Sequence, residues 1–91
     1  MMNTGNLVVT RGIASRIAEN EQFAKQVVYF HGLYLRNDWG DISEDDAELN
    51  DINVQSNTGS LMGAYNTCEG RIWIMTEHDR SVTTILFPDE Y

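Results

Sequence analysis

Cysteine and proline are nearly missing from this 91-residue sequence, which holds one of each. With Cys68 alone, no intramolecular disulfide framework and no cysteine-rich zinc site can be assembled. With Pro88 alone, and no repeat or low-complexity tract, nothing divides the chain, and residues 1–91 read as a single domain. Long apolar runs are also absent. The opening MMNTGNLVVTRG lacks the basic and extended apolar regions of a signal peptide, so the expected setting is the cytoplasm, with no membrane contact. Basic residues are scarce: 6 against 14 acidic, a net charge of −8. Direct binding to a DNA or RNA backbone, which requires clustered Lys and Arg, is disfavoured.

What is present is enough for one compact core, with a hydrophobic fraction of 42% that includes two Trp, four Tyr and three Phe. The short β-branched run Leu7–Val9, bounded by Gly5 and Gly12, reads as a strand. Four-residue spacings then take over: Ile13 with Ile17, Phe23 with Val27, Ala24 with Val28, Phe30 with Tyr34. They predict a helical stripe from about Ile13 to Leu35, broken near Glu19–Glu21 and stopped at Asn37 and Gly40. Ser43 signals a second start, because its side chain can accept from the Asp46 N–H while the Asp46 carboxylate returns a bond, and Ile42 can staple onto Ala47. The spacing predicts a helix over 44–54, ended at Thr58-Gly59. Alternation then predicts three strands, at 61–66, 71–76 and 82–87, joined by loops at 68–70 and 77–80 too short for anything but antiparallel neighbours. The expected fold class is α+β: helices on one face of a three-stranded antiparallel sheet, with the 7–9 strand added at an edge.

The acidity is concentrated. Residues 1–37 carry a local balance of +2, whereas DWGDISEDDAELND at 38–51 holds seven carboxylates and no base. Glu44, Glu48 and Asp51 fall on one arc of the expected helix, with Asp45 and Asp46 fanning from its first turn. Five carboxylates over about 12 Å of axis is one charge per ~2.4 Å, comparable with one per ~1.7 Å in duplex DNA. Such a surface could enter a nucleic-acid-binding groove. Acids in a helix's first turn are equally explained by the macrodipole and by solubility. Calcium is argued against by spacing: counted from Asp38, Gly40 and Ile42 stand where an EF-type loop wants oxygens, and Ser43 where it wants glycine.

Catalytic candidates are few. His31 shares a helical face with Ala24, Val28 and Leu35 and reads as a core-edge histidine with a hydrogen-bond partner. Glu77, His78, Asp79 and Arg80 offer an acid, a base and a cation at one hairpin, enough for acid–base chemistry if a pocket adjoins them. An exposed tip explains them as well, with Arg80 bridging Glu77 and Asp79. Cys68 has no basic neighbour to activate it. Trp39 and Trp73 read as covers of the helix–sheet seam; exposed among the acids, Trp39 would instead be a binding anchor. No catalytic residue, metal ligand or cofactor is assigned.

The stretches RNDWGDISEDDAELND at 36–51 and RIWIMTEHDRSVTTILFPDEY at 71–91, with Ala64-Tyr65 between them, resemble a family of small "plasmid-related" proteins of bacterial plasmids, phages and integrated elements. The resemblance spans nearly the whole chain, and His78 falls at a variable position of it. It implies a mobile-element setting, where inhibitors of restriction and CRISPR defence are common. Together with the acidity, this points to a non-enzymatic inhibitor or nucleic-acid mimic of anti-CRISPR or antirestriction type. Its expected partner is a basic groove on a host nucleic-acid-binding protein or defence complex. The partner-binding candidates are Asp38, Trp39, Asp41, Glu44, Asp45, Glu48 and Asp51. The alternatives are an interaction or regulatory module with an unrelated partner, and a small enzyme using the 77–80 hairpin.

Overall fold

The computed structural model describes residues 5–91, so the first four residues of the opening segment lie outside it. Among the described residues the elements run β1 (Asn6–Val9), α1 (Arg11–Glu19), α2 (Glu21–Leu35), α3 (Glu44–Ser56), β2 (Leu61–Thr67), β3 (Gly70–Thr76) and β4 (Val82–Leu86), followed by a 3-10 turn at Pro88–Glu90. The class is α+β. β2, β3 and β4 form the expected antiparallel meander, and β1 joins β4 in parallel, giving a mixed sheet of order β1-β4-β3-β2.

Each helix begins on a side-chain cap, of which only that of Ser43 is expected from the sequence. Thr10, Asn20 and Ser43 accept from the N–H groups of Ile13, Phe23 and Asp46. The Ser43 bond is 3.1 Å, so that half of the expected reciprocal cap is present. Asn20 breaks the first stripe into α1 and α2, and Asn37, at φ 65°, ends α2. The start of α1 has no acid of its own and borrows one: Glu90 accepts from Thr10 Oγ1 at 2.6 Å and from Gly12 N at 3.0 Å. These bonds, first that from Thr10 and then those from the Phe87 and Gly12 amides, hold the Glu90 carboxyl below the usual carboxylate range.

The core lies between α1, α2 and one sheet face. Ile13, Phe23, Val27 and Tyr34 meet Leu61, Tyr65, Ile72, Ile74 and Ile85, and Trp39 closes one end. The buried face of α2 runs through Phe23, Val27 and Tyr34; Val28, expected beside them, is 73% exposed. A face holding Ala24 and Val28 is rotated too far from the stripe that the larger rings select. His31 is only partly buried and its Nε2 has no partner, against expectation; desolvation lowers its pKa. Trp73 also departs from expectation. Strand alternation places it on the sheet face opposite the helices, where its ring meets Tyr91 edge-on at 5.9 Å.

Polar groups inside the core are linked in a chain. Tyr34 Oη lies 2.7 Å from Thr76 Oγ1, which lies 2.7 Å from Thr83 Oγ1. Burial pushes the Tyr34 phenol up to about 12, with the Thr76 bond and Arg80 opposing. Its neutral form therefore stabilises the fold fully below pH ~10, and that contribution fades as pH rises towards ~12. Thr76→Val, which keeps shape but strands the Tyr34 hydroxyl, should cost about 1–3 kcal/mol in urea unfolding. Adding Tyr34→Phe should return part of that loss; a double variant whose cost is the plain sum of the singles would show that the bond is not there.

Candidate functional site

The acidic helix α3 is tied to the sheet at three levels. Ahead of the helix in the chain, Trp39 is 4% exposed, edge-on to Tyr34 at 5.3 Å, and its indole N–H donates at 2.9 Å to Oδ1 of Asp51, just past the helix midpoint. Trp39 is therefore a core ring and not an exposed anchor among the acids; its large apolar area fills the gap between α2, α3 and β2. Next to it Gly40, at φ 75°, lies so close to β2 that a Cβ would stand 2.2 Å from the Ala64 carbonyl oxygen. This approach lets Ala64 N donate to Trp39 O at 3.0 Å and Asp41 N donate to Ala64 O at 2.7 Å, a one-residue parallel bridge.

In the middle of α3, Asn50 works as a substitute strand. Its Nδ2 donates to Met62 O at 2.8 Å and its Oδ1 accepts from Met62 N at 3.4 Å, so both outward backbone groups of that residue are satisfied. Ala47 and Val54, one turn to either side, reach the core.

At the far end, Arg80 is 8% exposed and projects its guanidinium onto carbonyls at the end of α3 and in its following loop. Nη2 donates to Asn53 O at 3.0 Å and Thr58 O at 3.1 Å, while Nη1 donates to Gly59 O. The expected bridge from Arg80 to Glu77 and Asp79 is not made, because helix-end carbonyls compete better for a desolvated cation than two solvated carboxylates. Asp79 accepts instead from Ser81 N at 3.0 Å; the Ser81 hydroxyl contact first, and then this backbone bond, lower its pKa. Of the hairpin quartet only Glu77 lines the depression of about 370 Å³ on the outer sheet face, beside Met75, Thr84 and Tyr91. The four side chains do not converge there.

This frame sorts the acidic candidates. Asp38 is exposed, and its Oδ1 accepts from Gly40 N at 3.2 Å, shaping the turn. Asp41 is paired: Arg71 Nη1 donates to its Oδ2 at 2.8 Å and Nη2 to its backbone oxygen at 2.7 Å. The Arg71 hydrogen bond, assisted by Asn66, holds Asp41 below the usual carboxylate range. Asp51 is exposed but has one oxygen on Trp39. Glu44, Asp45, Asp46 and Glu48 are exposed, and no ion pair among the described residues involves them.

Two further residues of this surface escaped the sequence reading. Leu49 and Ile52 are 54% and 53% exposed on the side of α3 away from Ala47 and Val54. Their signal was available: at 100° per residue they lie roughly 140–160° around the helix from both core residues. The outer face of α3 therefore combines an apolar pair with unpaired carboxylates, the composition of an interface centre with a polar rim. Among the described residues, no three of His, Cys, Asp and Glu are grouped so as to hold a metal ion, and no helix is long and apolar enough to cross a membrane. No protein-family model, curated protein or solved structure matches the chain.

The Asp41–Arg71 pair predicts a direction for acid sensitivity. Because the folded pKa of Asp41 is depressed, its contribution is present above the unfolded value and is lost as pH falls through the folded one. Arg71→Gln should flatten the decline in thermal stability below pH 4 relative to wild type; parallel profiles would show that the pair contributes nothing.

Proposed function

We propose that this chain is a non-enzymatic mobile-element protein whose α3 surface binds a basic groove on a nucleic-acid-handling host protein, such as a component of restriction or CRISPR defence, and blocks it. The observation that carries this reading is the set of exposed, unpaired carboxylates Glu44, Asp45 and Glu48 on a helix secured at its middle and its end. A cationic groove would be met by negative charge carried on an already ordered helix, as by a run of phosphates, with little backbone ordering left to do on binding.

Asp51 and Asp41 contribute to the field of this surface, although each already has a partner within the fold. Asp38 lies in the turn before the helix. Net charge of −8 favours encounter with basic proteins and disfavours nucleic acid itself. The resemblance to plasmid-related proteins supplies the mobile-element setting, and the surface chemistry supplies the kind of partner.

Leu49 and Ile52 favour one other reading, an interaction module for an unrelated protein in which the apolar pair dominates and the acids only surround it. Charge and salt separate the two. The variant Glu44→Gln/Asp45→Asn/Glu48→Gln leaves the Trp39 and Asn50 ties intact and should stay folded, losing only the macrodipole contribution of its first-turn acids, about 0.3–1 kcal/mol each. In retrieval from bacterial extract it should lose at least tenfold in affinity for a partner that wild type binds at low salt. That partner should be displaced by duplex DNA, and by about 0.5 M salt, where the screening length falls to about 4 Å. Retention that survives both the triple substitution and DNA, but is lost on Leu49→Ser/Ile52→Ser, would replace the groove-blocking function with the apolar module.

A further inference from the structure

The two edges of the sheet are treated differently. At the β2 edge the outward backbone groups are closed one residue after another: Met62 by the Asn50 amide, Ala64 by Trp39 and Asp41. At the β1 edge nothing among the described residues plays that part, since β1 is terminal in the sheet and pairs only with β4. Asn6 N and Thr10 N donate to Ser81 O and Ile85 O, each at 3.1 Å. In a parallel ladder this parity turns the N–H and C=O groups of Leu7 and Val9 away from β4. Their side chains are 47% and 39% exposed, with Val8 between them at 43%. The strand has no Lys, Pro or inward charge, the usual protections of an open edge.

We propose that β1 pairs with β1 of a second copy of this chain, antiparallel about a twofold axis at Val8, forming one continuous eight-stranded sheet. Only this register sets the outward groups of Leu7 opposite those of Val9 in the other copy, so that four backbone hydrogen bonds form and both members of each pair are satisfied. Charge favours the same arrangement. The strand itself is neutral in a chain of net charge −8, so the edge is where two copies can approach with least repulsion. Arg11, exposed and without an ion pair among the described residues, sits at one end of β1. At the other end, Asn6 is bonded to Ser81, which follows the exposed acids Glu77 and Asp79. Antiparallel pairing brings each Arg11 towards the acidic hairpin of the other copy, twice by symmetry. The capped β2 edges then face outward and stop growth at two copies, leaving the α3 surfaces at opposite ends of a sheet about 38 Å wide.

Sedimentation velocity of the full chain up to about 200 µM should show a species of twice the 10.4 kDa chain mass whose population rises with concentration. Leu7→Pro removes an outward N–H without touching the β1–β4 ladder, and should give monomer with an unchanged circular-dichroism spectrum. Arg11→Glu, which leaves the strand as it is, should weaken association at least tenfold and keep the chain foldable if Leu7→Pro does not fold. A chain that stays monomeric throughout, or a dimer indifferent to both substitutions, would overturn the proposal.

Discussion

The buried guanidinium of Arg80 is the contact on which the placement of the acidic helix depends. A helix leaves its last carbonyls unpaired and a partial negative charge at that end, and α3 has no basic residue of its own in its last turn. The β3–β4 hairpin supplies the missing cation from 27 residues further along the chain: it reaches Asn53 O, which also accepts from the Asn57 and Thr58 amides, and Thr58 O. The position is strained, since Arg80 adopts φ 61°, a left-handed conformation that costs roughly 1–2 kcal/mol for a residue with a Cβ. Charge-assisted bonds to carbonyls in a desolvated site offset that cost. A charge gradient follows along α3: acids at its start, a borrowed cation at its end. α1 uses the converse arrangement, with Glu90 brought to its start.

The elements themselves were legible because their signals are local. Ser43 and Asn37 mark helix limits within one turn, and the alternation of Ile72, Ile74 and Thr76 with Trp73 and Met75 fixes the faces of β3. The ties between elements were not. Asn50 is an ordinary helical polar residue until Met62 lies beside it, and Arg80 sits in a sequence of acids that suggests ion pairs. Both partners are backbone atoms, which every residue possesses and which therefore leave no mark in composition. Gly40 was read as a helix stop, while its larger role is the close passage to Ala64. Trp39 carried two opposite readings because the sequence around it is acidic; burial against Tyr34 decides between them.

The same ties divide seven acidic-segment candidates into different chemical kinds. Trp39 and one oxygen of Asp51 belong to the scaffold, Asp41 is neutralised by Arg71, and Asp38 shapes a turn. Glu44, Asp45 and Glu48 are left as charges available to another molecule, with Leu49 and Ile52 beside them. A sequence-level charge count treats all these carboxylates alike; the structure ranks them by what each already touches.

The measurement that bears most directly on this account is amide hydrogen exchange on wild type and Arg80→Met. Losing charge-assisted bonds of about 1.5–3 kcal/mol should speed exchange of the amides at the end of α3, residues 53–58, by about ten- to a hundredfold. The central amides of β3, at Ile72–Ile74, should change much less. Unchanged protection at the end of α3, or the same acceleration in helix and sheet, would contradict the claim that Arg80 holds this helix in place.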